Sequence, residues 1–227
     1  MKPIDTIVVP QGAEYQAVCR GLQKFGLDRV QVIAIPIGTT NARHILASYS
    51  QQLDQSQRVL IMGLCGSLRE SYNIGDGILV KSCQDLASNQ ITLDLGLTAR
   101  LQNILSVEVV TGLTSDRIIT KAQEKLKLSQ QYPVSVVEME GYGYVTQLQQ
   151  QGISVAMLRV VSDDLTGDLP DLGNAIDHQG KIKIMAMAIA FLKQPLAAIR
   201  LIRGSLTGLK ALEQITTKLF DRKLSQD

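Results

Sequence analysis

The chain has 227 residues, of which 45% are hydrophobic, enough for one large domain with a sizeable core. Aromatic residues make up only 4%, there is no Trp, and 23 basic residues against 21 acidic ones leave a net charge of +2, so nothing suggests a nucleic-acid partner. Three isolated cysteines and two histidines provide neither a disulfide framework nor a cluster of metal ligands, and no cofactor is indicated.

The hydrophobic pattern gives no sign of a leader or a membrane span. The N-terminus lacks the long apolar stretch of a signal peptide. The apolar run from Ile184 to Leu192 has nine residues, whereas a bilayer requires about 20. We therefore predict a reduced cytoplasmic protein without a transmembrane segment.

Short β-branched runs alternate with helix-like segments along the chain. The predicted strands are Thr6–Val9, Val30–Ile35, Val59–Met62, Gly77–Val80, Val107–Val110, Val134–Val137 and Val155–Leu158. The predicted helices are Glu14–Phe25, Asn41–Gln52, Lys121–Leu128, Gly141–Gln151 and Lys181–Lys193. This alternation predicts an α/β fold, a single domain with a central mixed, largely parallel sheet flanked by helices.

The character of the chain changes near Pro195. We assign residues 1–195 to the α/β domain and 196–227 to a C-terminal amphipathic helical extension of unknown role, because apolar residues there recur at helical spacing. Six basic residues against three acidic ones make the extension mildly basic. We favour packing on its own domain or on a sister subunit over attachment to a membrane surface, since the charges are sparse.

Two apolar, strand-like runs end abruptly in carboxylates: VVEME at 136–140 and LRVVSDD at 158–164. The carboxyl ends of strands line the ligand crevice of an open α/β sheet. Acids placed there cost desolvation free energy unless something binds them. Both runs therefore indicate a substrate site.

A glycine-containing segment, GLCGSL at 63–68, follows another predicted strand. Glycine lets a ligand approach the backbone closely. A tight turn between a strand and a helix explains the same residues, and both interpretations stay open.

Taken in order, GLCGSL (63–68), IGDGI (74–78), VEME (137–140) and RVVSD (159–163) resemble the purine nucleoside phosphorylase and uridine phosphorylase superfamily. The most similar branch is that of the methylthioadenosine/S-adenosylhomocysteine nucleosidases and related nucleosidase-like proteins. The similarity runs from about Thr6 to about Leu192. It implies a nucleoside phosphorylase-like fold, a small-molecule nucleoside substrate, no cofactor and a homodimer.

The resemblance implies catalytic roles for three residues. Asp163 matches the acid that protonates a purine at N7, and Arg159 matches a residue near the attacking nucleophile. Glu14 matches a glutamate that activates water. As an acid in the first turn of a helix, Glu14 also has an ordinary structural explanation.

The resemblance also implies residues that hold the sugar. Glu140 matches the glutamate that accepts hydrogen bonds from the ribose hydroxyls, a task that suits an acceptor-only carboxylate. Met139 would pack against the sugar. The resemblance gives Glu138 no ligand role, and a surface ion pair would account for it.

The base would be held by the loop at 112–119. Asp116 and Ile119 fit the family pattern, whereas Ile118 stands where nucleosidases stack an aromatic ring on the purine. Ser162 is a supporting residue beside Asp163.

The nucleophile or phosphate loop would contain Gly63, Leu64 and Gly66. Many family members have Ser or Thr where this chain has Leu64, and losing a direct donor to phosphate costs about 1.5–3 kcal/mol. We therefore predict an N-glycosyl hydrolase acting on a purine, adenine-type nucleoside such as methylthioadenosine or S-adenosylhomocysteine. A phosphate-dependent nucleoside phosphorylase and a non-catalytic nucleoside-binding protein remain as alternatives.

Overall fold

The computed structural model describes residues 4–23, 30–36, 46, 48, 49, 53–172 and 183–221. The strands are β1 (Thr6–Pro10), β2 (Gln31–Ile35), β3 (Arg58–Ser67), β4 (Gly77–Asp85), β5 (Gln90–Thr92), β6 (Glu108–Thr114), β7 (Val136–Glu138) and β8 (Ser154–Asp163). The helices are α1 (Ala13–Gln23), α2 (Leu95–Leu105), α3 (Ala122–Gln131), α4 (Gly141–Gln149), α5 (Ile184–Lys193) and α6 (Pro195–Phe220). The predicted helix Asn41–Gln52 lies almost entirely outside the described residues.

The eight strands form one mixed sheet, which confirms the predicted fold class. Most of the strand pairs are parallel, and β7 with β3, β5 with β4 and β8 with β4 are the antiparallel ones. β3 and β8 carry nearly continuous apolar runs and are buried along most of their length. Such runs are typical of strands that are covered on both faces.

Part of the sheet closes into a ring. β8 pairs with β3 on one side and with β4 on the other, and β4, β6, β7 and β3 are joined in that order. At one end of this ring Gly66 of β3 lies between Asp163 of β8 and Val137 of β7. The closure therefore brings together the glycine segment and both acidic runs.

The pairing of β3 with β8 is irregular at this end. Cys65 is opposite Val161 and Gly66 is opposite Asp163, so Ser162 is an extra residue on β8. A bulge of this kind bends a strand and redirects its side chains. The irregularity sets the direction of the last residue of β8, Asp163.

α6 packs one face against α1 and the sheet. It buries Ala198, Leu212 and Leu219, and Arg20 of α1 pairs with Glu213 of α6 at 2.8 Å. A Cβ atom on Gly204 would overlap the carbonyl oxygen of Ser162, so only glycine allows α6 this close to β8. The helix that begins at the predicted boundary thus contacts a strand that carries a site motif.

α5 differs from the other helices that the structure describes because none of its residues is buried. Its sequence, IMAMAIAFLK, is apolar up to the final lysine. None of the described helices is long and apolar enough to cross a membrane.

Candidate active site

A cavity of about 200 Å³ lies where β3, β7 and β8 end. The sequence-predicted residues that line it are Glu14, Leu64, Gly66, Ile118, Ile119, Met139, Glu140, Ser162 and Asp163. The remaining walls are Pro10, Cys65, Arg117, Val137, Glu138, Leu169, Leu172 and Leu201. Segments that are far apart in the chain are therefore assembled around one space.

Gly63 and Gly66 leave room for two of the predicted catalytic side chains. A Cβ atom on Gly63 would overlap Nη1 of Arg159. A Cβ atom on Gly66 would lie 2.7 Å from Oδ2 of Asp163. Neither position tolerates a larger residue while these side chains keep their places.

Three of the predicted residues do not line the cavity. Arg159 and Gly63 lie behind its wall, with the Arg159 side chain only 1% exposed. Asp116 lines a separate pocket of about 270 Å³, together with Asp85 and Tyr142. The structure thus does not bring Asp116 to the cavity.

The glycine segment holds Glu14 at the N-terminus of α1. The backbone N–H of Leu64 donates a hydrogen bond to Oε1 of Glu14 at 2.7 Å. Burial raises the pKa of Glu14, and the Leu64 N–H and the Arg159 guanidinium offset part of this rise. A carboxyl group with a raised pKa beside a cavity is suited to accepting a proton.

Glu138 of the cavity wall forms a buried ion pair with Arg159 behind it. The side chains are 3% and 1% exposed, and Arg159 Nη2 pairs with Oε2 of Glu138. The same oxygen accepts hydrogen bonds from the N–H groups of Glu140 (3.0 Å) and Gly141 (2.6 Å). The expectation of a surface ion pair at Glu138 is therefore wrong, because β7 points this side chain inward.

The acidic neighbours of Arg159 stabilise its buried charge. Burial lowers the pKa of its guanidinium, but the Glu138, Glu140 and Glu14 carboxylates together raise it above its ordinary value. Oε2 of Glu140 lies 3.9 Å from Arg159 Nη2. Arg159 and Glu138 thus position the backbone and the carboxylate of Glu140 at the cavity wall.

A lysine that the sequence analysis did not identify pairs with Asp163. Lys125, from α3, is 1% exposed, and its Nζ forms an ion pair with Oδ2 of Asp163. It also donates to the carbonyl oxygen of Asp164 at 2.9 Å. The hydroxyl of Ser162 lies 2.9 Å from the other oxygen of Asp163. Asp163 is therefore held from both sides.

The rest of the cavity wall is apolar. Leu169, Leu172 and Leu201 contribute to it, and Leu201 comes from α6. Ile118 presents an aliphatic side chain to the cavity, at the position where the family pattern has an aromatic ring. Among the residues that the structure describes, His, Cys, Asp and Glu form no group of three that could hold a metal ion.

Comparison with known proteins matches residues 11–197 to the family model described as the phosphorylase superfamily. Among individual proteins, the futalosine hydrolase of Thermus thermophilus is 28% identical over 149 residues, which covers 56% of this chain and 66% of that protein's own length.

The fold is shared with solved nucleosidase structures. A putative 5′-methylthioadenosine/S-adenosylhomocysteine nucleosidase from Francisella philomiragia superposes with a TM-score of 0.71 at 15% identity, covering 98% of this chain and 100% of that chain. A mutant nucleosidase from Helicobacter pylori, solved with 5′-methylthioadenosine in its active site, gives a TM-score of 0.65 at 18% identity over 95% of this chain and 98% of that chain.

Proposed function

Because this chain belongs to the phosphorylase superfamily, we propose that it hydrolyses the N-glycosidic bond of a purine nucleoside. The observation that carries the proposal is the convergence of Glu14, Glu140 and Asp163 on one cavity. Cleavage of this bond needs a proton for the leaving base, negative charge beside the ribose and an activated water. The three carboxyl groups supply one requirement each.

Asp163 protonates the purine at N7 as the bond from C1′ to the base breaks. Because Asp163 is the carboxylate partner of the Lys125 ammonium, the proton that it delivers comes from Lys125, which is left as a neutral amine until solvent reprotonates it. The bonding electrons leave with the base, which departs as a neutral purine. A positioned general acid of this kind contributes about 10²–10⁴-fold to a rate.

Glu140 accepts hydrogen bonds from the ribose hydroxyls and stabilises the positive charge that develops on the sugar. The buried pair of Glu138 and Arg159 supports this role, because it fixes the backbone N–H of Glu140. A fixed carboxylate does not reorganise during the reaction, and such preorganised charge is worth more in a cavity than in water.

Glu14 takes a proton from the water that attacks C1′. The new bond joins the water oxygen to C1′, and the proton released from this water resides on Glu14 until solvent removes it. The raised pKa of Glu14 supports this assignment. The Leu64 N–H and the Arg159 guanidinium limit the rise.

Two contacts and one charge repulsion favour hydrolysis over phosphorolysis. The Leu64 N–H, which could bind an anion, already donates to Glu14. Among the described residues, Arg117 is the one basic side chain that lines the cavity. It is already paired with Glu124. A phosphate at the N-terminus of α1 would also be repelled by the Glu14 carboxylate. Water is therefore the better nucleophile.

For the substrate, we propose an adenine-type nucleoside such as methylthioadenosine or S-adenosylhomocysteine. Asp163 can donate to N7 and accept from a 6-amino group, and the apolar wall of Leu169, Leu172 and Leu201 suits an apolar 5′ substituent. The Helicobacter pylori nucleosidase solved with 5′-methylthioadenosine supports this class, and the Thermus thermophilus futalosine hydrolase adds futalosine as a candidate. We further propose that the protein is cytoplasmic. We also propose that it is a homodimer, which light scattering in solution would test.

The test is chromatographic detection of free base from methylthioadenosine, S-adenosylhomocysteine, adenosine, inosine, uridine and futalosine, each with and without phosphate. Base release at the same rate without phosphate supports the proposal. A rate that depends on phosphate would assign the protein to the phosphorylases. Saturable binding in a calorimetric titration without any base release would favour the non-catalytic alternative.

We expect Glu14→Gln to lower turnover by about 10²–10⁴-fold and to raise the melting temperature at neutral pH. Because the pKa of Glu14 is raised in the folded state, its ionisation opposes folding above that pKa, and glutamine removes the penalty. The gain should shrink as the pH falls through the raised pKa towards the ordinary value of 4.5, since protonated Glu14 no longer carries the penalty. Thermal melts from neutral pH down to this value measure it.

The matched control is Glu70→Gln, which neutralises an exposed carboxylate outside the cavity. It should change neither turnover nor the pH dependence of stability. A Glu14→Gln variant that turns over normally would remove Glu14 from the mechanism, and a loss of stability at neutral pH would contradict the burial argument.

A further inference from the structure

The largest group of exposed apolar side chains lies on the last two helices. Among the described residues, most of the large hydrophobic side chains that face solvent belong to α5 and α6. We call this group, together with the exposed bases beside it, the α5–α6 surface. Its apolar members are Ile184, Met185, Ile189, Leu192, Leu196, Ile199, Ile202 and Leu206, and its bases are Lys183, Lys193, Arg203 and Lys210.

The part of the fold that the structure describes does not cover these apolar residues. α6 has a separate inner face that packs on α1 and the sheet, whereas α5 is apolar on all sides and buries none of its residues. Leu192 and Leu196, at the junction of the two helices, are 83% and 82% exposed. Exposed apolar side chains gathered on two consecutive helices indicate a site of interaction.

The charges on the α5–α6 surface have a single sign. The sequence contains no Asp or Glu between Lys183 and Leu212. Arg200 is already committed to the domain, through Asp164 at 3.7 Å and the hydroxyl of Thr166 at 2.6 Å. The four bases of the surface lie among or directly beside the apolar side chains, so whatever covers this surface must tolerate positive charge next to apolar contact.

We propose that the α5–α6 surface docks on an anionic lipid membrane. The sparse charges favoured packing on the domain or on a sister subunit, but α5 buries none of its residues and the apolar side chains at its junction with α6 face solvent. Helices that lie in the membrane interface combine an apolar face with Lys and Arg, whose stems reach back to the headgroups. Basic residues near the surface of an anionic leaflet each add to the attraction. Both helices are attached to the domain through the inner face of α6, so the membrane contact needs no spanning segment.

A second copy of the chain fits this surface less well. A two-fold interface places the same patch against itself, so it would bring the bases of both copies together, and neither copy has an acid between residues 183 and 212 to neutralise them. A partner protein is also less suitable, because protein interfaces are depleted in Lys. Lipid phosphates provide the negative charge that the surface lacks.

The test is co-sedimentation of the full chain with vesicles, without any nucleoside, so that its result is independent of hydrolysis. We expect binding to vesicles of phosphatidylcholine and phosphatidylglycerol in equal parts to be at least about tenfold stronger than binding to phosphatidylcholine alone. Ile189→Ser/Leu192→Ser should weaken binding to the mixed vesicles at least about tenfold. Lys193→Gln/Arg203→Gln/Lys210→Gln should abolish the preference for anionic lipid.

The control is Leu95→Ser/Leu126→Ser, which removes two exposed leucines on other helices (57% and 47% exposed) and should leave vesicle binding unchanged. Melting curves establish that each variant is folded. Failure of the wild-type chain to bind either vesicle overturns the proposal. It is equally overturned if the Ile189/Leu192 variant binds vesicles normally but loses its oligomeric state in light scattering, because the surface would then contact a second copy.

Discussion

Asp163→Asn is expected to lower turnover by about 10²–10⁴-fold and to destabilise the protein by about 3–5 kcal/mol. The first effect follows from removing the proton donor for the base. The second follows from Lys125, whose side chain is 1% exposed and would be left as a buried ammonium without its carboxylate partner. The melting temperature should fall by roughly 6–20 °C for a chain of this size.

A double variant separates the two effects. Asp163→Asn/Lys125→Met removes both charges, and replacing a buried ion pair with neutral groups is often close to neutral for stability. We expect it to recover most of the lost melting temperature and none of the lost turnover. Near-normal turnover by a folded Asp163→Asn variant would exclude Asp163 as the general acid. A double variant as unstable as the single one would show that the ion pair is not the cause of the instability.

Glu138 neither donates nor accepts a proton in the reaction. Among the carboxylates of this kind, we expect Glu138→Gln to destabilise the protein most. It leaves the guanidinium of Arg159, 1% exposed, without its principal counter-charge, and breaking such a pair costs about 3–5 kcal/mol. It also weakens the acceptor that holds the N–H groups of Glu140 and Gly141. Denaturant unfolding measures the first effect, and a rise in KM for the nucleoside measures the second.

The matched control is Glu124→Gln. Glu124 pairs with Arg117 through side chains that are 30% and 60% exposed, so its loss should change the free energy of unfolding by no more than about 1 kcal/mol. Equal effects of the two substitutions would show that the Glu138–Arg159 pair is not desolvated as described.

The strands could be predicted because they are short runs of β-branched residues, and all seven predicted strands overlap observed ones. The closure of the ring could not be predicted, since it depends on β8 pairing with two strands that are distant in sequence. α2 was missed. Its start is marked by Asp94, whose carboxylate accepts a hydrogen bond from the N–H of Leu97 at 2.8 Å, and this capping signal was available in the sequence.

The site was predicted where a carboxylate ends an apolar run. Asp163 and Glu140 carry that signal, and both line the cavity. Lys125 carries none, because AQEKLKLSQQ is typical of a solvated helix and only the position of α3 beside β8 turns this lysine inward. Glu138 and Glu140 are two residues apart on one short segment. Which of them faces a ligand and which faces a buried arginine depends on where β7 ends.

The contact of α1 with α6 has a consequence for the order in which a growing chain can fold. Arg20 and Glu213 are 193 positions apart, and Ala17 and Leu22 belong to the same apolar cluster as Leu212 and Leu219. On a ribosome, Glu14 emerges early, but the cavity wall that contains Leu201 does not exist until α6 has been synthesised. A nascent chain stalled before Pro195 therefore carries every acidic motif of the site but lacks a complete cavity in which to bind a nucleoside.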